Sequence, residues 1–176
     1  MSSAVLAVGC STGKTADPAA KGREIDAEVD NALAQLYSSA PGSREMASKS
    51  HGILVFPKVV SAGFVVGGSY GEGALRKSGR TAGYYSVGQG SVGLLAGAQQ
   101  KSMYLLFMTE EALKKFEAGS VWTVGADAGI ALVEVGAEAR VDTKTATAPI
   151  VGFVRSNTGF MANLSLDGTK FNKLDL

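Results

Sequence analysis

Apolar residues recur at helical spacing near the start of the chain, at Ile25, Val29, Leu33, Leu36 and Tyr37. Asp17-Pro18 supplies the beginning of that helix, with Asp as cap and Pro at the first helical position. Glu24, Asp26, Glu28 and Asp30 occupy the face away from the stripe. The helix is expected to stop near Pro41-Gly42, and a shorter one to run from Ser43, as its cap, to about Lys49.

The pattern then changes period. "GILVF" is a short apolar run closed by Pro57, and alternating apolar residues broken by glycine follow as far as Met108. Thr109 caps a second clear helix, "EEALKKFEA", with acids first, lysines after them and Gly119 as its stop. "WTVGADAGIALVEVGAEARVD", "TAPIVGFVRS" and "GFMANLSLDG" read as further strands. The fold class is α+β: N-terminal helices packed on an antiparallel, Gly-rich β body with one further inserted helix. Residues 1–16 read as signal-peptide remnant and linker, and 17–176 as a single domain.

Composition narrows the chemistry. The 176 residues can bury a core without staples. Net charge is +1, with bases and acids nearly balanced along the chain, so no stretch carries the basic excess of a nucleic-acid binder. One cysteine and one histidine exclude an internal disulfide and a Cys/His zinc site. The 23 glycines are about twice average usage and fit tight strand connections.

The opening "AVLAVGCSTGKTADP" admits two readings. A P-loop, G-x-x-x-x-G-K-[ST], needs glycine where Val8 stands, and Pro18 interrupts the helix that should follow Lys14. Ala7-Val8-Gly9-Cys10, with Leu6 and Val5 upstream and a polar spacer downstream, instead fits a lipoprotein cleavage box, making Cys10 the lipidation site. Such a signal carries positive charge and a longer apolar segment before its box, so the chain is expected to begin inside it. The alternative is an unstructured tail with an unremarkable cysteine.

Catalytic motifs do not hold together. Gly67-Gly68-Ser69-Tyr70-Gly71 matches the nucleophile elbow G-x-S-x-G, but the only histidine, His51, precedes the serine. Gly88-Gln89-Gly90-Ser91-Val92-Gly93 matches G-x-G-x-x-G, with Glu111 about 20 residues on, yet the residues after the last glycine alternate like a strand. No nucleophile partners His51. The expectation is a non-enzymatic protein, without cofactor or metal.

Two features bear on membranes. The first helix is amphipathic, but Lys21 and Arg23 are outnumbered by its acids, so it reads as a packing helix rather than an interfacial one. Arg76-Lys77-Ser78-Gly79-Arg80 puts three cations at a turn, as a solvated tip or a headgroup contact.

The stretch "GILVFPKVVSAGFVVGGSYGEGAL" resembles the SYLF domain, the lipid-binding Ysc-type domain, with its apolar run ending Phe-Pro, then Gly-Phe and a glycine series. The likeness continues in "YYSVGQGSVGLLAGAQ" and "VGADAGIALVEVG" and closes in "GFVRSNTGFMANLSLDG", spanning about Ala19 to Gly168. It implies a phospholipid-binding module without catalysis, and bacterial relatives are typically envelope lipoproteins. The expectation is a periplasmic lipoprotein held at the outer membrane through Cys10, since Ser11 rather than Asp follows the cysteine. Arg76, Lys77 and Arg80 are the expected headgroup contacts, with Lys58 and Lys101 as further candidates. The alternative is an envelope scaffold with a protein partner, in which lipid binding is incidental.

Overall fold

The computed structural model describes residues 17–63, 66–92, 97–125, 128–135, 145, 147–156, 166 and 168–176. Helix α1 (Pro18–Ser39) begins as its sequence predicts, the Asp17 carboxylate accepting from the Ala19 amide at 3.2 Å ahead of Pro18. Its buried stripe is Gly22, Ile25, Val29, Ala32 and Leu36, while Leu33 and Tyr37 are only half-buried at its flank. The stripe is rotated towards small residues because the helix backbone approaches the sheet closely. A Cβ at Gly22 would lie 3.0 Å from the Tyr84 hydroxyl, and the Ala32 carbonyl accepts from Tyr104 at 2.8 Å.

Helix α2 (Ser43–Lys49) is capped by Gly42, in the left-handed region at φ 84°, rather than by Ser43. Ser43 is buried instead and donates to the Leu36 and Ala40 carbonyls, tying α2 to the end of α1.

The strands are β1 (Gly52–Gly63), β2 (Val66–Lys77), β3 (Arg80–Val92), β4 (Gly97–Phe107), β5 (Val121–Thr123), β6 (Ile130–Glu134), β7 (Ile150–Ser156) and β8 (Lys170–Leu174). Helix α3 (Glu110–Glu117) follows β4, its Thr109 hydroxyl accepting from the Ala112 amide at 3.2 Å. The eight strands among the described residues form one sheet in the order β5-β8-β3-β2-β1-β4-β7-β6. The pairs are antiparallel, as expected of the β body, except β6 with β7, which run parallel. Fifteen residues separate Glu134 from Ile150, enough for the crossover that parallel pairing requires.

The sheet curls. β4 and β5 stand five places apart in the order, about 24 Å if flat. Yet Phe107 of β4 and Trp122 of β5 have ring centroids 6.5 Å apart. The enclosed face holds α3 and an aromatic cluster of Phe56, Phe107, Phe116, Trp122 and Phe171. The outer face is covered by α1 and α2 through Ile53, Val55, Ala74, Tyr104, Leu106, Val151 and Phe153.

Pro57 does not close β1, as its position predicts. The strand runs on to Gly63 because a bulge absorbs the proline, shifting register against both β2 and β4. Strand β2 accommodates the bulge with glycine: a Cβ at Gly73 would overlap the Val55 carbonyl oxygen, and one at Gly71 would lie 2.6 Å from that of Lys58. The extra residue also reverses the alternation of side chains. Leu54 and Phe56 belong to the enclosed core, and so does Val59, which strict alternation would put outside. Lys58 and Val60 are thereby delivered to the α1 face.

Candidate functional site

The cations expected at the turn are distributed unequally. Ser78 and Gly79 form a two-residue hairpin turn with φ of 51° and 77°, the mirror-image geometry that suits twisted strands. Arg76 is not part of its exposed tip. Its side chain is only 13 % exposed, lies under α1, and donates to Asp30 at 2.8 Å and to the Asp26 carbonyl at 3.1 Å. The Asp26 carboxylate further accepts from Thr81 at 2.6 Å and Tyr84 at 2.8 Å. Asp26 is thus a sheet-facing clasp, where the pattern of acids along α1 placed it on the solvent face. Lys77 pairs with Glu117 of α3 at 2.7 Å. Arg80 is exposed and has no ion-pair partner among the described residues.

Lys58 lies elsewhere. From Tyr70 to Lys77, β2 spans about 24 Å. Lys58, two residues from the Val60–Tyr70 pair on β1, is therefore well removed from the hairpin turn. Beside Lys58, α1 and the sheet leave a cleft of about 380 Å³, lined by Glu28, Asn31, Gln35, Pro57, Lys58, Ser102 and Arg155 among others. The Arg155 guanidinium donates to the Gln35 side chain, which fixes it across the cleft wall. Ser102 donates to the Pro57 carbonyl at 2.8 Å, holding the bulge in place. Lys58 and Arg155 supply two positive groups against the single carboxylate of Glu28, with Asn31, Gln35 and Ser102 as neutral polar neighbours. Such a lining accepts an anion bearing several oxygens.

Lys101 borders the cleft, but its side chain belongs to the other face. It stands opposite Val59 in the register and two residues from Met103, both in the enclosed core. Burial there pushes its amine below the ordinary lysine range, and no ion-pair partner lies among the described residues.

A second recess, of about 280 Å³, adjoins the cleft through Glu28 and Lys58 and continues past Lys21, Glu24, Val60, Tyr70 and Glu72. Lys21 of the first turn of α1 pairs with Glu72 at 2.9 Å, and this contact raises the lysine above its usual range. Tyr70 donates to Glu72 at 3.1 Å, and its proton is held more firmly than usual by burial and by that carboxylate.

The remaining motifs fall on regular structure. Ser69 lies inside antiparallel β2 and Gly88, Gln89 and Gly90 inside β3, so neither an elbow nor a phosphate-binding strand–helix turn is formed there. His51 is exposed immediately before β1, its backbone amide bonded to the Phe107 carbonyl at 2.8 Å. Among the described residues, no group of three or more His, Cys, Asp or Glu is placed to hold a metal. No described helix is long and apolar enough to cross a membrane. Cys10, the 1–16 segment and most of the closing "GFMANLSLDG" stretch lie outside the described residues.

Arg155 is the cleft residue that sequence reasoning missed. Its signal was present in the alternation of "IVGFVRS", where Arg155 follows inward-facing Val154. What places it beside Lys58 is the β4–β7 pairing, Ser102 opposite Arg155, which no local pattern reveals.

Residues 88–175 match the family model Ysc84, described as Las17-binding protein actin regulator. No curated protein matches the chain significantly.

Proposed function

Because the chain belongs to the Ysc84 family, the SYLF domain, we propose that it is a phospholipid-binding module of a bacterial envelope lipoprotein, tethered through an acylated Cys10. The observation that carries the assignment of the contact is the division of the cations. Arg76 and Lys77 are engaged with Asp26, Asp30 and Glu117, whereas Lys58 and Arg155 flank an open cleft. The lipid phosphate is taken between Lys58 and Arg155, with Asn31, Gln35 and Ser102 offering further hydrogen bonds. Arg80 is a free cation on the distant turn and makes a secondary headgroup contact at most.

Each cation near an anionic surface contributes about 1 kcal/mol, so two cannot hold the protein at a bilayer unaided. Acyl chains on Cys10 can, at about 0.8 kcal/mol per buried CH₂. On this reading the protein resides in the periplasm at the outer membrane, and its domain performs no catalysis. Two experiments test it. Mass spectrometry of the protein from its native membrane is expected to find Cys10 acylated as the mature first residue. The Cys10→Ser protein is expected to sediment with anionic vesicles, and to do so less as salt is raised.

The competing reading is an envelope protein-interaction module. Val121, 54 % exposed on edge strand β5, favours it, since an open edge is where another chain can pair. Failure to sediment at every lipid composition would select it.

A further inference from the structure

Val60 and Tyr70 are direct cross-strand partners on β1 and β2. They are 39 % and 55 % exposed, two of the four large apolar side chains so exposed among the described residues. The bulge at Pro57 turns Val60 to the α1 face, and α1 does not cover it. The first three turns of that helix line the recess, through Lys21, Glu24, Ile25 and Glu28, and leave Val60 exposed. An apolar shelf therefore lies beside the point where α1 begins.

The chain preceding α1 enters at the same place. Seven Cα steps separate Cys10 from Asp17, a reach of about 25 Å at most. If Cys10 is embedded, the start of α1 lies within that distance of the bilayer, with the exposed shelf beside it. Tyr70 also has the form suited to a lipid–water boundary. Its ring is exposed while its hydroxyl stays bonded to Glu72. Around it, Lys21 and Lys58 stand against Glu24, Glu28 and Glu72, so the recess has no positive excess to draw it to anionic lipid.

We propose that the Val60–Tyr70 shelf seats in the interfacial layer of a phospholipid bilayer beside the Cys10 anchor, by apolar contact rather than charge, and so fixes the orientation of the domain. This rests on the reading of Cys10 as the acylated residue. It goes beyond that reading in naming the surface that enters the lipid, which adjoins the phosphate cleft through Glu28 and Lys58.

The test couples Cys10, the lone cysteine, to a maleimide-bearing phospholipid in zwitterionic vesicles with brominated acyl chains. Tyr70→Trp is compared with Val121→Trp, both in a Trp122→Phe background. Val121 is exposed on β5, beyond β3 and β8 from β2. Seating predicts that Tyr70→Trp emission shifts to the blue and loses intensity against unbrominated vesicles, while Val121→Trp does neither. Adding anionic lipid leaves the shift unchanged. If Trp122→Phe disturbs the fold, the same pair is read with Trp122 in place, after subtraction of the unsubstituted protein's emission. Tyr70→Trp that stays unquenched on tethered protein overturns the proposal, as does equal quenching at both positions. Because the tether is chemical, these outcomes are independent of whether native Cys10 proves to be acylated, which its mass decides separately.

Discussion

The guanidinium of Arg76 on β2 reaches the carboxylate of Asp30 at 2.8 Å and the backbone of Asp26 one helical turn earlier, fastening α1 to the sheet. Asp30 is mostly exposed, so that pair alone contributes little. Asp26 is more protected and also serves Thr81 and Tyr84, which makes it the more consequential partner. Arg76→Ala is expected to lower unfolding stability by about 1–3 kcal/mol while leaving vesicle binding of the folded protein unchanged. Urea unfolding beside a sedimentation assay checks both. Lost vesicle binding at undiminished stability would return Arg76 to the lipid surface.

Glycine is needed where the bulge presses on β2, and not everywhere in the strands. Gly73→Ala forces a Cβ onto the Val55 carbonyl and is expected to cost about 3 kcal/mol. Gly90→Ala, in β3, meets nothing within 4 Å and is expected to be neutral or slightly stabilising. Equal destabilisation by the two, measured by denaturant midpoint, would show that the glycines serve something other than the bulge.

All five tyrosines hold their protons more firmly in the fold than the ordinary phenol value of 10.0 allows. Burial is the leading cause in each, joined at Tyr84 by the Asp26 carboxylate. The stability they contribute is complete below pH 10.0 and disappears as pH rises through their higher folded values. Lys21, raised by Glu72, acts in the same direction. Thermal unfolding should therefore fall steeply above pH 10.0, with phenolate absorbance appearing together with loss of structure. Full tyrosine ionisation in a still-folded protein would contradict the packing described for Tyr84 and Tyr104.

Lys101 works in the opposite sense. Burial disfavours its charged form, so the fold carries a penalty below the lowered folded value, relieved as pH approaches 10.5. Lys101→Met should raise stability near neutral pH by about 1 kcal/mol, a gain that shrinks towards pH 10.5. Vesicle binding should be unaffected, because the side chain is directed to the face opposite the cleft. Lost binding in this variant would assign it to the lipid contact after all.

Local patterns carried much of this architecture. Asp17-Pro18 and Thr109 mark their helices because caps are chosen by neighbouring backbone groups, and Ser78-Gly79 marks its turn because positive φ favours few residues. The bulge at Pro57 was hidden, since a proline reads as a strand end until long-range pairing shows the chain continuing. That one residue decides which face Lys58 and Val60 occupy, so the site depended on it. Arg76 looked like a free cation for a related reason. Its partners are 46 and 50 positions away on α1, and spacing along the chain does not disclose them.

The central claim is that lipid contact lies at the α1-flanking cleft and not at the hairpin turn, and a paired comparison of double variants tests it most directly. In the Cys10→Ser protein, Lys58→Ala/Arg155→Ala and Lys77→Ala/Arg80→Ala each remove two cations, so their net charges are equal. Co-sedimentation with anionic vesicles is measured for both across a salt series. The account predicts that the cleft pair abolishes most of the salt-sensitive binding while the turn pair retains it. Binding that survives loss of Lys58 and Arg155 but vanishes with Lys77 and Arg80 would contradict it.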